Sequence, residues 1–553
     1  MKAYPTLRRW LAGVVTAAVF AVVVLIGALS SRSGAGDKGK GDQPAAAGKD
    51  GWFMYGGSPS RNMVNLRVKG LPSEWDIGGK GQKAKNVKWV ADLGSKAYGG
   101  PVVAGGRVIV GTNNQLPRDK KWMAPDPKNP KKMIPIDLGV IMCFEEGSGK
   151  FLYQTTYKKL PQGLVNDWPK EGICSSPAVD GDRMYYVSNR CEVVCSGLDG
   201  KIHWKLDMIG QLGVFPHNLA ACSPLLVGDK LFVVTANGVD EDHINVPAPK
   251  APSFIRINKH NGQVEWQDNR TTIRLTEVQK KGDQKDFFKN LVNKGELIQH
   301  GQWSNPSYAV VNGKPQVVFP GGDGWIYAFA PDTGKLLWKF DCNPKDARYE
   351  LGGKGTRSDF IATPVIYDNK VYIGVGQDPE HETGVGHLWC IDMVKATEKE
   401  GDVSPELVTD NTVFPPKTKK NENSALVWHF GGPAPKGAGR NYYFGRTMST
   451  CAIHDGLVYA AELDGYLHCL DAGTGKLYWQ HNTRSVIWSS PYWADGKVYL
   501  GTDQGDVFVF AHGKQKRLLE TNDMGRPVRA TPVAANGTLY VMTENKLYAI
   551  AGK

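Results

Sequence analysis

The chain has 553 residues, with 65 glycines, 16 tryptophans and a formal net charge of +12. This length exceeds that of a usual single domain, but a chain built of repeats escapes the limit because each unit packs mainly on its neighbours. The basic residues are spread along the chain and concentrated in segments such as PDPKNPKKM and PPKTKKNEN, which are typical of a solvated surface or of attraction to an acidic partner.

Residues 1–30 predict export. Lys2, Arg8 and Arg9 precede an apolar run from Trp10 to Leu29 that has the charged flank and apolar body of a signal sequence. Its length is near the ~20 residues that span a bilayer, so we expect a signal peptide or an uncleaved membrane anchor. Residues 31–50 have no apolar period and are expected to form a flexible linker. We therefore expect a cell-envelope location on the periplasmic or extracellular side, membrane-anchored or secreted, and no nucleic-acid partner.

Residues 98–553 repeat one pattern eight times. Each copy holds an apolar strand, a tight turn of Gly, Asn or Asp, and a second strand of β-branched and aromatic residues, as in SSPYWADGKVYLG. Four short strands at a period of about forty residues are typical of a propeller blade. The sequence therefore predicts an all-β fold, an eight-bladed β-propeller of four-stranded antiparallel blades. The copies open at Gly100-Pro101, Ser176-Pro177, Ser223-Pro224, Asn305-Pro306, Thr363-Pro364, Thr450-Cys451, Ser490-Pro491 and Thr531-Pro532.

The outermost strand of the repeat is marked by a tryptophan, in four of the eight copies four residues after a glycine. The eighth copy ends after its third strand, so we expect its outer strand in residues 86–93, where Trp89 matches the marker. Pairing the two ends of the chain closes the ring and removes exposed sheet edges. We expect the marker residues to be structural docking residues, buried at seams between blades: Trp89, Trp204, Trp266, Trp338, Trp428 and Trp479.

These repeats resemble a known family. The segments AFAPDTGKLLW, CLDAGTGKLYW and RINKHNGQVEW resemble the tryptophan-docking motif of quinoprotein-type eight-bladed propellers, and GWFMYGGSPSRN resembles the segment that enters such a domain. The resemblance covers residues 51–553 and implies a PQQ-like propeller. Two subfamilies share the motif: dehydrogenases that bind pyrroloquinoline quinone (PQQ) with Ca²⁺ in the central funnel, and non-enzymatic scaffolds such as the outer-membrane assembly lipoprotein BamB.

The long insertions fall mainly on one end of the predicted ring. When the strands of a blade are lettered A to D from the inside outwards, strand alternation puts B–C insertions and the links between blades on the same face, here called the insert-bearing face. Loops elaborated on one face of a rigid scaffold are the default binding site, so we expect a protein or cell-envelope partner there. The B–C insertions are 113–138, 239–252 and 378–385, and the long links are 158–172, 269–300, 343–359 and 431–446; only the insertion 394–424 falls on the other face.

The resemblance also bears on chemistry. In the dehydrogenases an Asn and an Asp of one insertion, with a Glu from a preceding blade, ligate Ca²⁺, and the Asp is the catalytic base. The stretch VVTANGVDEDHINVPAPKAPSF resembles that insertion and places Asn237 at the Asn, but Lys250-Ala251-Pro252-Ser253 stands where the family has its Asp. Asp240, Glu241, Asp242 and His243 are close by and could substitute for it. Under an enzymatic alternative, Asn237, Asp240 and Asp242 are the expected cofactor-binding residues, and no residue is assigned as catalytic.

A second group of donors lies in QDPEHETGVGH, where Asp378, Glu380, His381 and His387 offer ligands for a metal. Their spacing matches no known site, so we predict no metal-binding residue. The nine cysteines fall largely at small-residue positions of the repeat and are expected to be buried fillers. No CxxCH haem signature occurs.

The preferred hypothesis is therefore a non-enzymatic, BamB-like scaffold of the cell envelope, attached to the membrane through its N-terminal segment and without a cofactor. The alternative is a PQQ- and calcium-dependent alcohol or sugar dehydrogenase with a divergent site.

Overall fold

The computed structural model describes residues 51–552 except 80, 162, 244–245, 269–299, 348, 351–353, 411–412 and 414. The expected signal or anchor segment 1–30, the expected linker 31–50 and nearly all of the link 269–300 lie outside these residues. No helix within the described residues is both long and apolar enough to cross a membrane.

Eight antiparallel sheets follow one another along the chain, which confirms the eight-bladed β-propeller. Strands A to D are Val102–Ala104, Arg107–Asn113, Leu138–Glu145 and Phe151–Lys158 in blade one; Ala178–Asp180, Arg183–Val187, Glu192–Gly197 and Ile202–Asp207 in blade two; Leu225–Val227, Lys230–Val234, Phe254–Asn258 and Val264–Asp268 in blade three; Ser307–Val311, Lys314–Pro320, Trp325–Phe329 and Leu336–Asp341 in blade four; Val365–Tyr367, Lys370–Val375, His387–Asp392 and Leu426–Gly431 in blade five; Ala452–His454, Leu457–Ala461, Tyr466–Asp471 and Leu477–Asn482 in blade six; Tyr492–Ala494, Lys497–Gly501, Asp506–Ala511 and Leu518–Asp523 in blade seven; Val533–Ala535, Thr538–Met542, Lys546–Ile550 and Val87–Asp92 in blade eight.

Blade eight closes the ring as predicted. Its outer strand Val87–Asp92 comes from the N-terminal side of the propeller and pairs antiparallel with Lys546–Ile550, so that Trp89 faces Ala549 and Asp92 faces Lys546. The backbone groups of Lys546–Ile550 are thereby satisfied on both sides, and blade eight presents no open edge to solvent at that strand.

The A–B hairpins follow from their turn residues. Asp495 and Gly496 of blade seven have φ values of 52° and 71°, and Asp455 and Gly456 of blade six have 47° and 71°. Two successive positive φ values are the requirement of a type I′ turn, whose twist matches that of the flanking strands. The Asp-Gly and Asn-Gly pairs of the repeat therefore form tight hairpins.

The residues that open strand A form a belt of hydrogen bonds around the channel. Each opening residue of this belt donates its backbone N–H to the side-chain oxygen of the opening residue in the next blade, at 2.6–3.3 Å. This explains why the five accepting positions carry Ser, Thr or Asn, since only a polar side chain accepts such a bond. The donor and acceptor pairs are Ser176 to Ser223, Ser223 to Asn305, Thr363 to Thr450, Thr450 to Ser490 and Ser490 to Thr531.

The marker tryptophans lie where strand D of one blade packs on the next. Four of these rings rest on the glycine of the next blade's C–D turn, where an added Cβ would lie 2.5–2.8 Å from the nearest ring atom. Each indole Nε1 also donates to a carbonyl of that turn, at 2.9–3.1 Å. The glycine of the C–D turn thus leaves space for the tryptophan ring of the preceding blade, because it has no Cβ. The pairs are Trp89 on Gly149, Trp204 on Gly262, Trp266 on Gly334 and Trp428 on Gly475, while Trp479 donates to the Gly513 carbonyl.

Small residues on strand C make room for these rings. Cys195 lies opposite Trp204, Cys390 opposite Trp428 and Cys469 opposite Trp479, and each pair is followed by a β-bulge. All nine cysteines are unpaired thiols in the structure. Their placement matches the expectation of small fillers rather than of disulfide bonds.

Trp338 departs from the pattern. It is fully buried, but its Nε1 donates to Gln316 Oε1 of its own blade at 2.7 Å, and Gln316 Nε2 donates to Thr397 Oγ1 at 2.5 Å. The insertion of blade five replaces the C–D turn on which this ring would otherwise rest. That insertion contains helix α2 (Met393–Lys399), while helix α1 (Met208–Leu212) follows blade two.

The N-terminal segment 52–65 lines the channel at the far ends of the inner strands. Its backbone bonds to strand A of five blades and to Cys451, just before strand A of blade six, for example from Val179 N to Phe53 O at 2.8 Å and from Trp493 N to Met63 O at 2.8 Å. Arg61, fully buried, donates to the carbonyls of Tyr55, Ser223 and Pro306. The channel is therefore filled by the chain itself on the side opposite the insert-bearing face.

The insertions and links add short elements of their own. The 3-10 turns are Lys120–Trp122, Gly163–Val165 and Pro379–His381. The additional strands are Val64–Asn65, Met123–Asp126 with Asn129–Pro135, Tyr349–Glu350 with Lys354–Gly355, Gly401–Asp402, and Glu406–Asp410 with Lys417–Lys420.

Candidate functional site

A cavity of about 310 Å³ lies on the axis of the ring. Residues that open strand A in several blades line it, including Ser223, Asn305, Ser490 and Thr531, and Tyr55 of the N-terminal segment reaches it from the other side. Because strand A begins at the insert-bearing face, the cavity belongs to the same face as the long insertions.

One wall of the cavity combines aromatic rings with a cation and a carboxylate. The Arg529 guanidinium lies 5.5 Å from the Trp488 ring and 5.9 Å from the Tyr98 ring, and its Nε donates to Asp503 Oδ1 at 2.5 Å. Glu171 lines the same wall and accepts a hydrogen bond from Lys96. Burial, reinforced by the charge of Glu171, raises the pKa of Tyr98. Both charges of this wall are thus paired within the protein.

The residues expected to hold PQQ and calcium do not meet in the cavity. Asn237 is fully buried behind it: its Oδ1 accepts from the Phe215 N–H at 2.9 Å and its Nδ2 donates to the Ala248 carbonyl at 3.0 Å. Asp240 is half-buried and Asp242 is exposed on the same insertion. None of the three is among the residues that line the cavity.

This arrangement does not fit the calcium of the dehydrogenases. Calcium takes six to eight oxygen ligands at about 2.3–2.6 Å, whereas the Asn237 amide oxygen is turned toward the Phe215 N–H. The two groups of potential metal ligands within the described residues both contain histidine and share His300.

The structure instead brings together histidine and aspartate side chains that the sequence analysis did not group as one site. His217, His243 and His300 lie with their ligand nitrogens within 4.8 Å of one another, and His300, Asp359 and Asp378 form a second group of the same size. We call these five residues the histidine–aspartate cluster. They come from five different connections of the insert-bearing face, and Asp378 also lines the cavity.

Of the four donors in QDPEHETGVGH, three lie at this cluster and one does not. Asp378 caps the turn Pro379–His381 and contacts His381 Nδ1 through its Oδ1 at 2.9 Å, and the Glu380 carboxylate accepts from the Asn218 amide at 3.1 Å. His387 lies elsewhere, at the start of strand C of blade five, where its Nδ1 is 2.9 Å from His429 Nε2.

The pKa values of the imidazoles in the cluster are shifted in different directions. Burial, together with the neighbouring His300 and His243, lowers the pKa of His217 far below its usual range. Burial also lowers the pKa of His243. Burial opposes protonation of His300, but the charges of Asp359 and Asp378 outweigh it and raise its pKa. Although burial opposes it, His381 and His300 lower the pKa of Asp378 to about 2.

The insert-bearing face also carries a protruding hairpin, Met123–Asp126 with Asn129–Pro135, in the B–C insertion of blade one. Leu116 and Met133 are each 48% exposed there. The same insertion carries five exposed lysines: Lys120, Lys121, Lys128, Lys131 and Lys132.

Comparison with known proteins gives two kinds of relative. The family profile described as outer membrane protein assembly factor BamB matches residues 138–378 and 419–553. The chain is 18% identical over 378 residues to the outer membrane protein assembly factor BamB of Yersinia pestis, which covers 67% of this chain and 80% of that protein. It is 32% identical over 143 residues to the 1-butanol dehydrogenase (cytochrome c) of Thauera butanivorans, which covers 24% of this chain and only 20% of the length of that dehydrogenase.

Among solved structures, a europium-containing methanol dehydrogenase superposes with a TM-score of 0.56 at 12% identity, over 91% of this chain and 98% of that one. A likeness at this level of identity concerns the fold alone.

Proposed function

The chain belongs to the family described as outer membrane protein assembly factor BamB, and from this premise we propose that it is a non-enzymatic scaffold of the cell envelope. In this proposal it binds a protein partner through the insert-bearing face, and its N-terminal segment keeps it at the membrane.

The observation that carries the proposal is the hairpin of blade one. Met133 of this hairpin and Leu116 of the same insertion are exposed apolar side chains, and the insertion also carries exposed lysines. Apolar anchors within a polar rim are the usual make-up of a protein interface, and a basic rim steers an acidic partner toward it. The expected partner is therefore an envelope protein that offers an acidic surface around an apolar depression.

A PQQ-dependent oxidoreductase is the second candidate. The aromatic wall of Tyr98 and Trp488 favours it, because a planar ligand stacks on aromatic rings, although the Arg529 guanidinium beside them is already paired with Asp503. The placement of Asn237 disfavours it, since no oxygen of this side chain is directed at the cavity. We therefore propose that the protein does not turn over alcohols.

Paired substitutions test the scaffold. Leu116→Glu/Met133→Glu replaces both apolar anchors, and Val408→Glu/Val413→Glu is the matched control on the opposite face, where the two valines are 42% and 40% exposed. Each full-length variant is isolated from membranes of the source cells, and the envelope proteins that co-purify in stoichiometric amounts are quantified.

We expect the wild type and the control to retain one defined envelope protein and the Leu116→Glu/Met133→Glu variant to lose at least nine-tenths of it, which is more than about 1.4 kcal/mol of binding free energy. Equal retention by all three proteins, or equal loss in the control, would contradict the proposed interface.

A further inference from the structure

We propose that the histidine–aspartate cluster is a binding site for a divalent transition-metal ion of the zinc class, with His217, His243 and His300 as nitrogen ligands and with Asp378, which contacts His300, as the carboxylate that completes the set. The inference concerns the cluster alone and holds whether or not the protein binds the partner proposed above.

The direction of the His217 ring supports the site. Its Nδ1 lies 3.0 Å from the Val239 carbonyl and donates to it, which leaves Nε2 as the lone-pair nitrogen. This Nε2 is fully buried, and within the described residues no hydrogen-bond partner satisfies it. A buried acceptor without a partner is costly, and a metal ion would remove that cost.

His300 is held in a way that suits a ligand. Its Nδ1 lies 3.1 Å from Asp359 Oδ2, while its Nε2 lies 3.4 Å from Asp378 Oδ2. Two ligands of a tetrahedral zinc with bonds of about 2.0–2.1 Å are separated by about 3.3 Å. The second distance therefore fits two ligands of one ion. The first distance, from Nδ1 to Asp359, fits a carboxylate that contacts the other ring nitrogen of a ligating histidine and so orients the ring.

The backbone around the cluster is built for close approach. Gly238 lies between the links that carry His217 and His300, and an added Cβ there would lie 2.6 Å from the His300 carbonyl oxygen and 2.7 Å from His217 Cβ. Asn237 fixes the same region, since its side chain holds Phe215 and its carbonyl accepts from Gln302. These contacts place the imidazoles of His217 and His300 before any ion binds.

The donor set selects the class of ion. Three imidazoles and one carboxylate suit zinc and related borderline ions, whereas calcium and magnesium prefer oxygen alone. Since the ligands come from the links before blades three and four and the insertions of blades three and five, the ion would tie together loops of the insert-bearing face.

The test uses the full chain, purified without a histidine tag and stripped with a chelator, and titrated with Zn²⁺ alone, Co²⁺ alone and Ca²⁺ alone. Binding is followed by calorimetry, by metal content after gel filtration, and by the visible absorption of tetrahedral Co²⁺. The variants are His217→Gln, His300→Gln and Asp359→Asn. The control is His468→Gln, at a histidine that is also fully buried but lies in blade six.

We expect one Zn²⁺ per chain, a tetrahedral Co²⁺ spectrum, no Ca²⁺ bound at the same site, and a higher melting temperature with Zn²⁺. His217→Gln and His300→Gln should weaken zinc at least 100-fold. Asp359→Asn, as an orienting residue, should weaken it about 10- to 100-fold while the tetrahedral spectrum persists. His468→Gln should bind like the wild type. Absence of stoichiometric zinc in the wild type, or unchanged zinc affinity in both His217→Gln and His300→Gln, would overturn the site.

Discussion

The packing of a tryptophan on the glycine of the next blade can be tested within a single blade. Gly475 and Gly456 of blade six have φ values of 70° and 71°, so alanine meets the same backbone strain at either position. An added Cβ at Gly475 lies 2.7 Å from the Trp428 ring, whereas at Gly456 it meets nothing within 4 Å. Comparing Gly475→Ala with Gly456→Ala therefore isolates the contact with the ring.

The expected magnitudes follow from these contacts. In the folded state, the left-handed backbone destabilises alanine by about 1–2 kcal/mol. In the unfolded state, alanine is less flexible than glycine, which stabilises the fold by about 0.4–1 kcal/mol. Gly456→Ala should therefore lower the free energy of unfolding by about 1 kcal/mol. At Gly475 the ring must also move by about 1 Å to restore ordinary contact, which as overpacking costs about 1–3 kcal/mol. It also strains the bond from Trp428 Nε1 to the Ala472 carbonyl, which is 2.9 Å long. We expect Gly475→Ala to lower the free energy of unfolding by about 2 kcal/mol more than Gly456→Ala does.

Urea denaturation followed by far-ultraviolet circular dichroism measures both variants, and both are repeated with Trp428→Ala. Without the indole the two glycine substitutions should have equal effects. Equal effects in the presence of Trp428, or a difference that persists in its absence, would refute the account of the docking motif.

Three further predictions concern other parts of the molecule. Deleting residues 86–93 leaves Lys546–Ile550 as an open edge, and we expect a broader unfolding transition and self-association on gel filtration; a sharp, monomeric transition would contradict ring closure by this strand. Burial, with the neighbouring His429, lowers the pKa of His387 from 6.5 to about 3, so the unfolded chain takes up the proton first. The contribution of neutral His387 to the free energy of unfolding is present above pH 6.5 and is lost as the pH falls toward 3, by about 2 kcal/mol between pH 7.5 and 5. His387→Gln should remove this loss, and an unchanged pH profile in the variant would count against the role of His387. Given PQQ and Ca²⁺, the protein should not oxidise alcohols in a dye-linked assay, and turnover that Asp240→Asn or Asp242→Asn abolishes would establish the enzymatic alternative instead.

The ring could be predicted from the sequence because its signals are local. The Asp-Gly turns, the polar residue that opens strand A and the Gly to Trp spacing each act within one blade or between neighbours, so they recur at a fixed period. Trp338 shows the limit of that reasoning, because the turn on which it would rest is replaced by an insertion whose fold has no repeat to compare with.

The histidine–aspartate cluster could not be predicted in the same way. His217, His300 and Asp378 lie far apart in the sequence, and only the curvature of the ring brings their connections together. One signal was present: His217 stands six residues before the opening Ser223, and His300 stands five residues before the opening Asn305. For Asn237 the match to a ligand position came from the sequence alone, and in the structure its side-chain oxygen accepts from the Phe215 backbone N–H.

The central claim, a partner-binding insert-bearing face, is tested most directly by a photo-crosslinking residue placed at Met133 in the full chain and irradiated in the source cells. The matched probe stands at Val408 on the opposite face, where exposure is 42% against 48% for Met133. We predict that the Met133 probe gives one discrete crosslinked product with an envelope protein and that the Val408 probe gives none. The same product from both positions, or no product from Met133, would contradict the account.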